Sequence, residues 1–138
     1  MKRYFLLVLG ILLFTIPALA IDVPAAVADA FAKKFPGASK VKWGKENAKE
    51  YEAEFQWNGK SGSANFLADG TWVESELEVD ITEVPAAVSL AAKTKYPAGN
   101  ILKAYKIERA NSVSFELEIK NGTKKTELIL KPDGSIVK

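Results

Sequence analysis

The sequence predicts an α+β protein: two tandem helix-plus-antiparallel-sheet repeats, with the helices on one face of about eight strands. Three observations carry that prediction. "VPAAV" occurs at Val23–Val27 and again at Val84–Val88, and each copy leads to an aromatic–proline pair, Phe35-Pro36 and Tyr96-Pro97. Later landmarks recur in the same order: Asn58-Gly59 with Asn121-Gly122, and Asp69-Gly70 with Asp133-Gly134. Between these landmarks, residues alternate between apolar and polar with period two, as half-buried strands do. The repeat spacing drifts from 61 to 63 to 64 residues along the chain, which is what small loop insertions do to a duplicated unit.

Each unit opens on a helix. Pro24 suits a first helical position, because its missing N–H would have no partner there. Asp22 and its counterpart Glu83 sit near the positive end of the helix dipole. Val23, Val27 and Phe31 recur every four residues, opposite Asp29, Lys33 and Lys34, so the helix is amphipathic. Alanines at 25, 26 and 30 keep it slim enough to lie close to a sheet. Pro36-Gly37 and Pro97 stop the two helices.

Strands follow. "KVKWGK" places Val41 and Trp43 on one side, and "YEAEFQW" places Tyr51, Ala53, Phe55 and Trp57 opposite Glu52, Glu54 and Gln56. "VSFELEIK" repeats the pattern with Val113, Phe115, Leu117 and Ile119 inward. The Asn-Gly pairs mark hairpin tips. The Asp-Gly pairs mark a second hairpin in each unit, joining "SANFLA" to "TWVESELEV" and "TELIL" to "SIVK". Repeat 1 is placed at residues 21–80 and repeat 2 at 81–138. A unit of roughly sixty residues is marginal alone, and no Gly/Ser-rich linker separates the two, so they are expected to pack as one globular unit.

Residues 1–20 are set apart. Lys2 and Arg3, the apolar run Phe5–Ile16, Pro17 and the small-residue end Ala18-Leu19-Ala20 form a signal peptide pattern. Cleavage near Ala20 and a periplasmic or secreted location are expected, with no membrane insertion afterwards. The chain carries 19 basic and 17 acidic residues; losing Lys2 and Arg3 leaves the remainder formally neutral. That removes the electrostatic footprint a nucleic-acid partner would need.

Histidine and cysteine are both absent. Nucleophile systems built on Ser–His or Cys–His are therefore excluded, as are the usual zinc and copper sites and any disulfide. No cofactor is expected. Carboxylates are the remaining chemistry: Glu52 with Glu54, and the run Glu74, Glu76, Glu78 and Asp80, which share strand faces. A solvated outer face explains these stripes more simply than catalysis, and neither Asp-Gly pair continues into a calcium loop. Trp57 adjoins a hairpin tip, and Trp72 is in phase with Glu74 and Glu76. These four residues, Trp57, Trp72, Glu74 and Glu76, are the candidate partner-binding set, because aromatic anchors dominate interface energetics. Packing over the sheet is the competing reading for both tryptophans.

The order of helix, "FP", strand, "YEAEF", "NG", strand and "DGTW" resembles the PepSY-like, β-lactamase-inhibitor-like group of exported bacterial proteins. The resemblance covers nearly the whole chain after Ala20 and recurs in both units. It implies a non-enzymatic module that presents a sheet surface to a protein or peptide of the cell envelope, and it brings no catalytic residue with it. The alternative is a small-ligand carrier with a pocket near Trp57, Trp72 and the Glu74–Glu76 stripe.

Overall fold

Proline opens both helices, α1 at Ala25–Lys34 and α2 at Ala86–Lys95, in the computed structural model, which describes residues 21–137. The expected leader lies outside the described residues. Having no N–H of its own to satisfy, Pro24 contributes its carbonyl, which accepts from Val27 at 2.9 Å and Ala28 at 3.1 Å. Pro85 does the same for Val88 at 2.9 Å and Ser89 at 3.2 Å. Lys33 and Lys34 end α1, and Lys93 and Lys95 end α2, where the carbonyl end of the helix dipole favours cations.

Among the described residues there are seven strands: α1 is followed by β1 (Ser39–Lys45), β2 (Glu50–Trp57), β3 (Lys60–Leu67) and β4 (Trp72–Val79), and α2 by β5 (Asn100–Arg109), β6 (Ser112–Asn121) and β7 (Lys124–Leu130). They form one sheet in the order β1-β2-β3-β4-β5-β6-β7, each strand antiparallel to the next. The expectation of about eight strands is corrected to seven. The eighth segment, "SIVK", makes only an isolated bridge, Leu130 to Ile136, and one further bond from Val137 N–H to the Ile129 carbonyl at 2.9 Å. Its counterpart β4 runs for eight residues, a length that the three residues described after Gly134 cannot match.

The halves join at the β4–β5 ladder, which runs from Glu74 opposite Arg109 to Val79 opposite Ala104. A single 3-10 turn, Ile81–Glu83, leads from β4 into α2. Its start is held by the Asp80 N–H donating to Glu83 Oε2 at 2.9 Å and by an ion pair between Lys60 and Asp80.

Both helices pack on the same face of this sheet, each over its own core. Under α1 the core is aromatic: Phe31, Phe35, Phe55 and Phe66 surround Val27, Ala53 and Ala64. Ring centroids lie 5.0 Å apart for Phe31–Phe55 and 4.7 Å for Phe35–Phe55, in edge and tilted geometry. Under α2 the core is mainly aliphatic, with Val88, Leu117, Ile119, Leu128 and Leu130.

The alanines of "VPAAV" have a specific task. Gly70 and Gly134, both at positive φ, lie so close to the helix starts that an added Cβ would sit 2.6 Å from the carbonyl oxygen of Ala26 or Ala87. The two turns are built alike. Asp69 Oδ1 accepts from Thr71 N–H at 2.9 Å, and Asp133 Oδ1 accepts from Ser135 N–H at 2.8 Å. Each "DG" turn thus rests on the first turn of its own unit's helix, and only glycine permits both the backbone angle and the approach.

Two substitutions separate these demands. Gly59 has a similar φ of +78° but nothing within 4 Å of an added Cβ, so Gly59→Ala is expected to cost about 1 kcal/mol, for the backbone alone. Gly70→Ala adds a collision with helix backbone and is expected to cost about 2–4 kcal/mol. Urea unfolding of the two variants checks the ranking.

Candidate binding face

The face opposite the helices is assembled by strand register. Counting across the sheet, Glu52, Asn65, Glu74 and Arg109 form one cross-strand row. Glu54, Ser63, Glu76, Ile107 and Ser114 form the next. A third holds Glu78, Tyr105, Glu116 and Ile129. Glu118 opposite Glu127 extends the surface onto β7. Carboxylates from both halves therefore meet on one surface, with Tyr105, Ile107 and Ile129 among them.

No described helix or strand covers this face, yet its centre is barely accessible. Exposure is 5% for Ile107 and Glu116, 7% for Tyr105 and 8% for Ser114. Neighbouring side chains on the same face do the burying. Among the described residues neither Glu116 nor the Ser114 hydroxyl makes a hydrogen bond or ion pair, and their oxygens keep an opening to solvent; the fully buried side-chain polar atoms without a partner there are Trp72 Nε1 and Ser75 Oγ. The Tyr105 hydroxyl lies 3.5 Å from Glu118 Oε1, at the limit of a hydrogen bond.

The carboxyl groups respond to this crowding. Burial, reinforced by Glu76, Glu127 and other nearby carboxylates, pushes Glu116 up to about 8. Burial, then Glu74 and Glu127, pushes Glu76 up to about 7. Glu52 also rises to about 7, through burial and then Glu46 and Glu54. Glu74 is ion-paired with Arg109, but burial outweighs the guanidinium and the group is still raised.

The four residues picked out in the sequence do not form one site. Trp57 and Trp72 belong to the helix side. Trp57 donates from Nε1 to the Pro36 carbonyl at 3.0 Å and meets Phe35 edge-on at 5.4 Å. Trp72 packs against the first core, with the Lys34 ammonium 3.7 Å from its ring centroid and its Nε1 buried without a partner among the described residues. A bulge explains the separation. Asn65 pairs with Glu74 while its neighbour Phe66 pairs with Trp72, leaving Val73 as the extra residue. Trp72 is therefore turned to the helices, and Glu74 and Glu76 to the opposite face. A pocket shared by Trp57, Trp72, Glu74 and Glu76 would need the sheet to be crossed, so it does not form.

In the second half, Ile136 follows the "DG" turn where the first half has Trp72. The smaller side chain leaves a shallow groove along α2, lined by Leu90, Ala91 and Ile136. The sequence reading did not single out Tyr105, Ile107, Ser114, Glu116 or Glu127. Only the alternation in "VSFELEIK", which turns Ser114, Glu116 and Glu118 outward, pointed toward them.

Among the described residues no group of three or more carboxylates converges closely enough to hold a metal ion, and no helix is long and apolar enough to cross a membrane. The raised carboxyls have a consequence for stability. The folded chain holds protons on them that the unfolded chain, near the ordinary carboxyl value of 4.5, has already released. Stability is therefore greatest at low pH within the folding range and falls as pH rises through 7 to 8. Denaturant unfolding is expected to show a loss of about 1–3 kcal/mol between mildly acidic and mildly alkaline buffer. Glu116→Gln is expected to raise stability at the alkaline end and to flatten the profile.

The family described as "putative beta-lactamase-inhibitor-like, PepSY-like" matches at residues 16–59 and 49–138. No curated protein sequence matches. Among solved structures, the chain is similar to a BLIP-like protein from Bacteroides fragilis, with a TM-score of 0.72 at 26% identity over 86% of each chain. It is also similar to a DUF2874 family protein from Bacteroides uniformis, with a TM-score of 0.75 at 24% identity over 85% of this chain and 88% of that one. A third, from Bacteroides eggerthii and described as one of the "putative periplasmic proteins", gives a TM-score of 0.76 at 23% identity over 86% and 88%. The family match spans all of the described residues in two overlapping stretches, and the chain belongs to the PepSY-like, β-lactamase-inhibitor-like family.

Proposed function

We propose that the protein is a non-enzymatic binding module of the bacterial cell envelope that presents its helix-free sheet face to a protein partner. The observation that carries this reading is the register that gathers Glu52, Glu54, Glu76 and Glu116 from both halves, with Tyr105, Ile107 and Ile129, on one face that no described element covers. Aromatic and apolar side chains set among charged ones are the composition of a protein-binding surface. Export through Met1–Ala20 puts the module in the envelope, in keeping with the periplasmic description of the Bacteroides eggerthii relative. Family membership supports a binding role over a catalytic one, and the absence of histidine and cysteine narrows the chemistry further.

Site-specific photocrosslinking in cells tests the reading. A benzophenone amino acid at Ser63, on the open face beside Glu54 and Glu76, is expected to capture a discrete protein adduct. The same group at Asp29, exposed on the outer side of α1, is expected to capture none. Equal capture from both positions, or capture from Asp29 alone, would overturn the proposal.

A further inference from the structure

The open face is chemically lopsided. Its centre carries Glu52, Glu54, Glu76, Glu116 and Glu127, none of which makes an ion pair among the described residues. Arg109 is the one basic group there that does, and it is engaged by Glu74. Of the lysines that register places on this face, Lys42 stands on the edge strand β1 and Lys120 opposite Lys125 near the β6–β7 hairpin, while Lys103 stands on β5 opposite Glu118, in the row that reaches Glu127, without an ion pair among the described residues. Like charges held side by side repel, and here burial withholds the water that would screen them. A surface of this kind is under-compensated as it stands.

Geometry limits what can compensate it. Among the described residues the carboxylates do not converge in groups of three around any point where one metal ion could sit. They are distributed over β2, β4, β6 and β7, with the side chains of Tyr105, Ile107 and Ile129 between them. Separated anions with apolar ground between them match separated cations on aliphatic stems. Lysine and arginine have that form: a charged head and a hydrocarbon stem that packs on apolar surface. Glu116 supplies an observation apart from net charge: its residue is only 5% exposed, it makes no hydrogen bond or ion pair among the described residues, and its carboxylate oxygens keep an opening to the surface, where a docking cation can reach them.

We propose, building on the binding role above, that the partner of this face is a protein segment bearing several separated lysine or arginine side chains, received by Glu52, Glu54, Glu76, Glu116 and Glu127 around Tyr105. The carboxylates fix which partner is accepted and speed its encounter, and the apolar centre holds the stems once docked. An acidic segment is rejected by the same arrangement.

The test uses the purified protein and a fluorescein-labelled decapeptide of alternating lysine and valine. A glutamate–valine peptide is the control, and spermine and calcium chloride are competitors. The lysine peptide is expected to bind, and the glutamate peptide not to. Glu76→Gln combined with Glu116→Gln is expected to weaken binding by roughly tenfold or more, because two interfacial charge pairs are lost. Glu127→Gln, a milder change nearer the sheet edge, is expected to weaken it by roughly threefold, with folding of each variant confirmed by circular dichroism. Asp22→Asn, off the face, is expected to leave affinity unchanged. No binding of the lysine peptide, equal binding of the glutamate peptide, unchanged affinity in folded Glu→Gln variants, or complete displacement by calcium at matched concentration each overturns the proposal. The underlying reading is tested separately. Capture at Ser63 together with charge-insensitive peptide binding removes only the cationic partner, whereas loss of capture at Ser63 removes the binding face itself.

Discussion

Everything that gives this molecule an exposed working surface depends on the β4–β5 ladder. Without it the chain would be two small units, each a helix on a short sheet with a sheet edge unpaired. Pairing Glu74 through Val79 against Arg109 through Ala104 fuses them into one seven-stranded sheet. It also fixes the faces. Because side chains alternate along each strand, a continuous register puts the cores of both units on the same side. The opposite side then collects every out-facing glutamate of β2, β4 and β6 into one surface. The acidic centre is thus a consequence of fusion and belongs to neither half alone.

The two halves share a construction principle and differ in what fills it. In each, an Asp-Gly turn rests on an alanine of the first helical turn, with near-identical clearances at Gly70 and Gly134. That contact sets how each helix sits over its sheet, which explains why "VPAAV" is written twice while the cores beneath have diverged. Phenylalanine rings fill the first, and leucine, isoleucine and valine fill the second. Trp72 completes the first half where Ile136 leaves a groove in the second. Variation is tolerated wherever volume alone matters, and it is not tolerated where backbone meets backbone.

Much of this architecture was legible in the residues. The helices, the alternating strands, the hairpin tips and the placement of both helices on one face follow from proline position and period-two patterning. Two features were not legible, for different reasons. The bulge at Val73 is hidden because "TWVESELEV" alternates smoothly; nothing within the segment says that Trp72 and Glu74 fall out of phase. Only the partner strand, where Asn65 and Phe66 take consecutive positions opposite Glu74 and Trp72, reveals it. The importance of Glu116 is hidden for a second reason. In the chain it is one of several out-facing glutamates. Its raised pKa comes from burial first and then from carboxylates on strands distant in sequence, Glu76 in the other half and Glu127 on β7. Trp57 and Trp72 drew attention as large aromatics near loops, and both proved to serve packing on the helix side.

The central claim is that the two halves build one electrostatic surface. Carbon-detected NMR titration of the Glu116 carboxyl, in the natural protein and in Glu76→Gln, tests it most directly. Glu116 is expected to titrate near 8 and to move downward when the carboxylate of the other half is neutralised. A Glu116 that titrates at the ordinary carboxyl value of 4.5, and does not respond to Glu76→Gln, would contradict it.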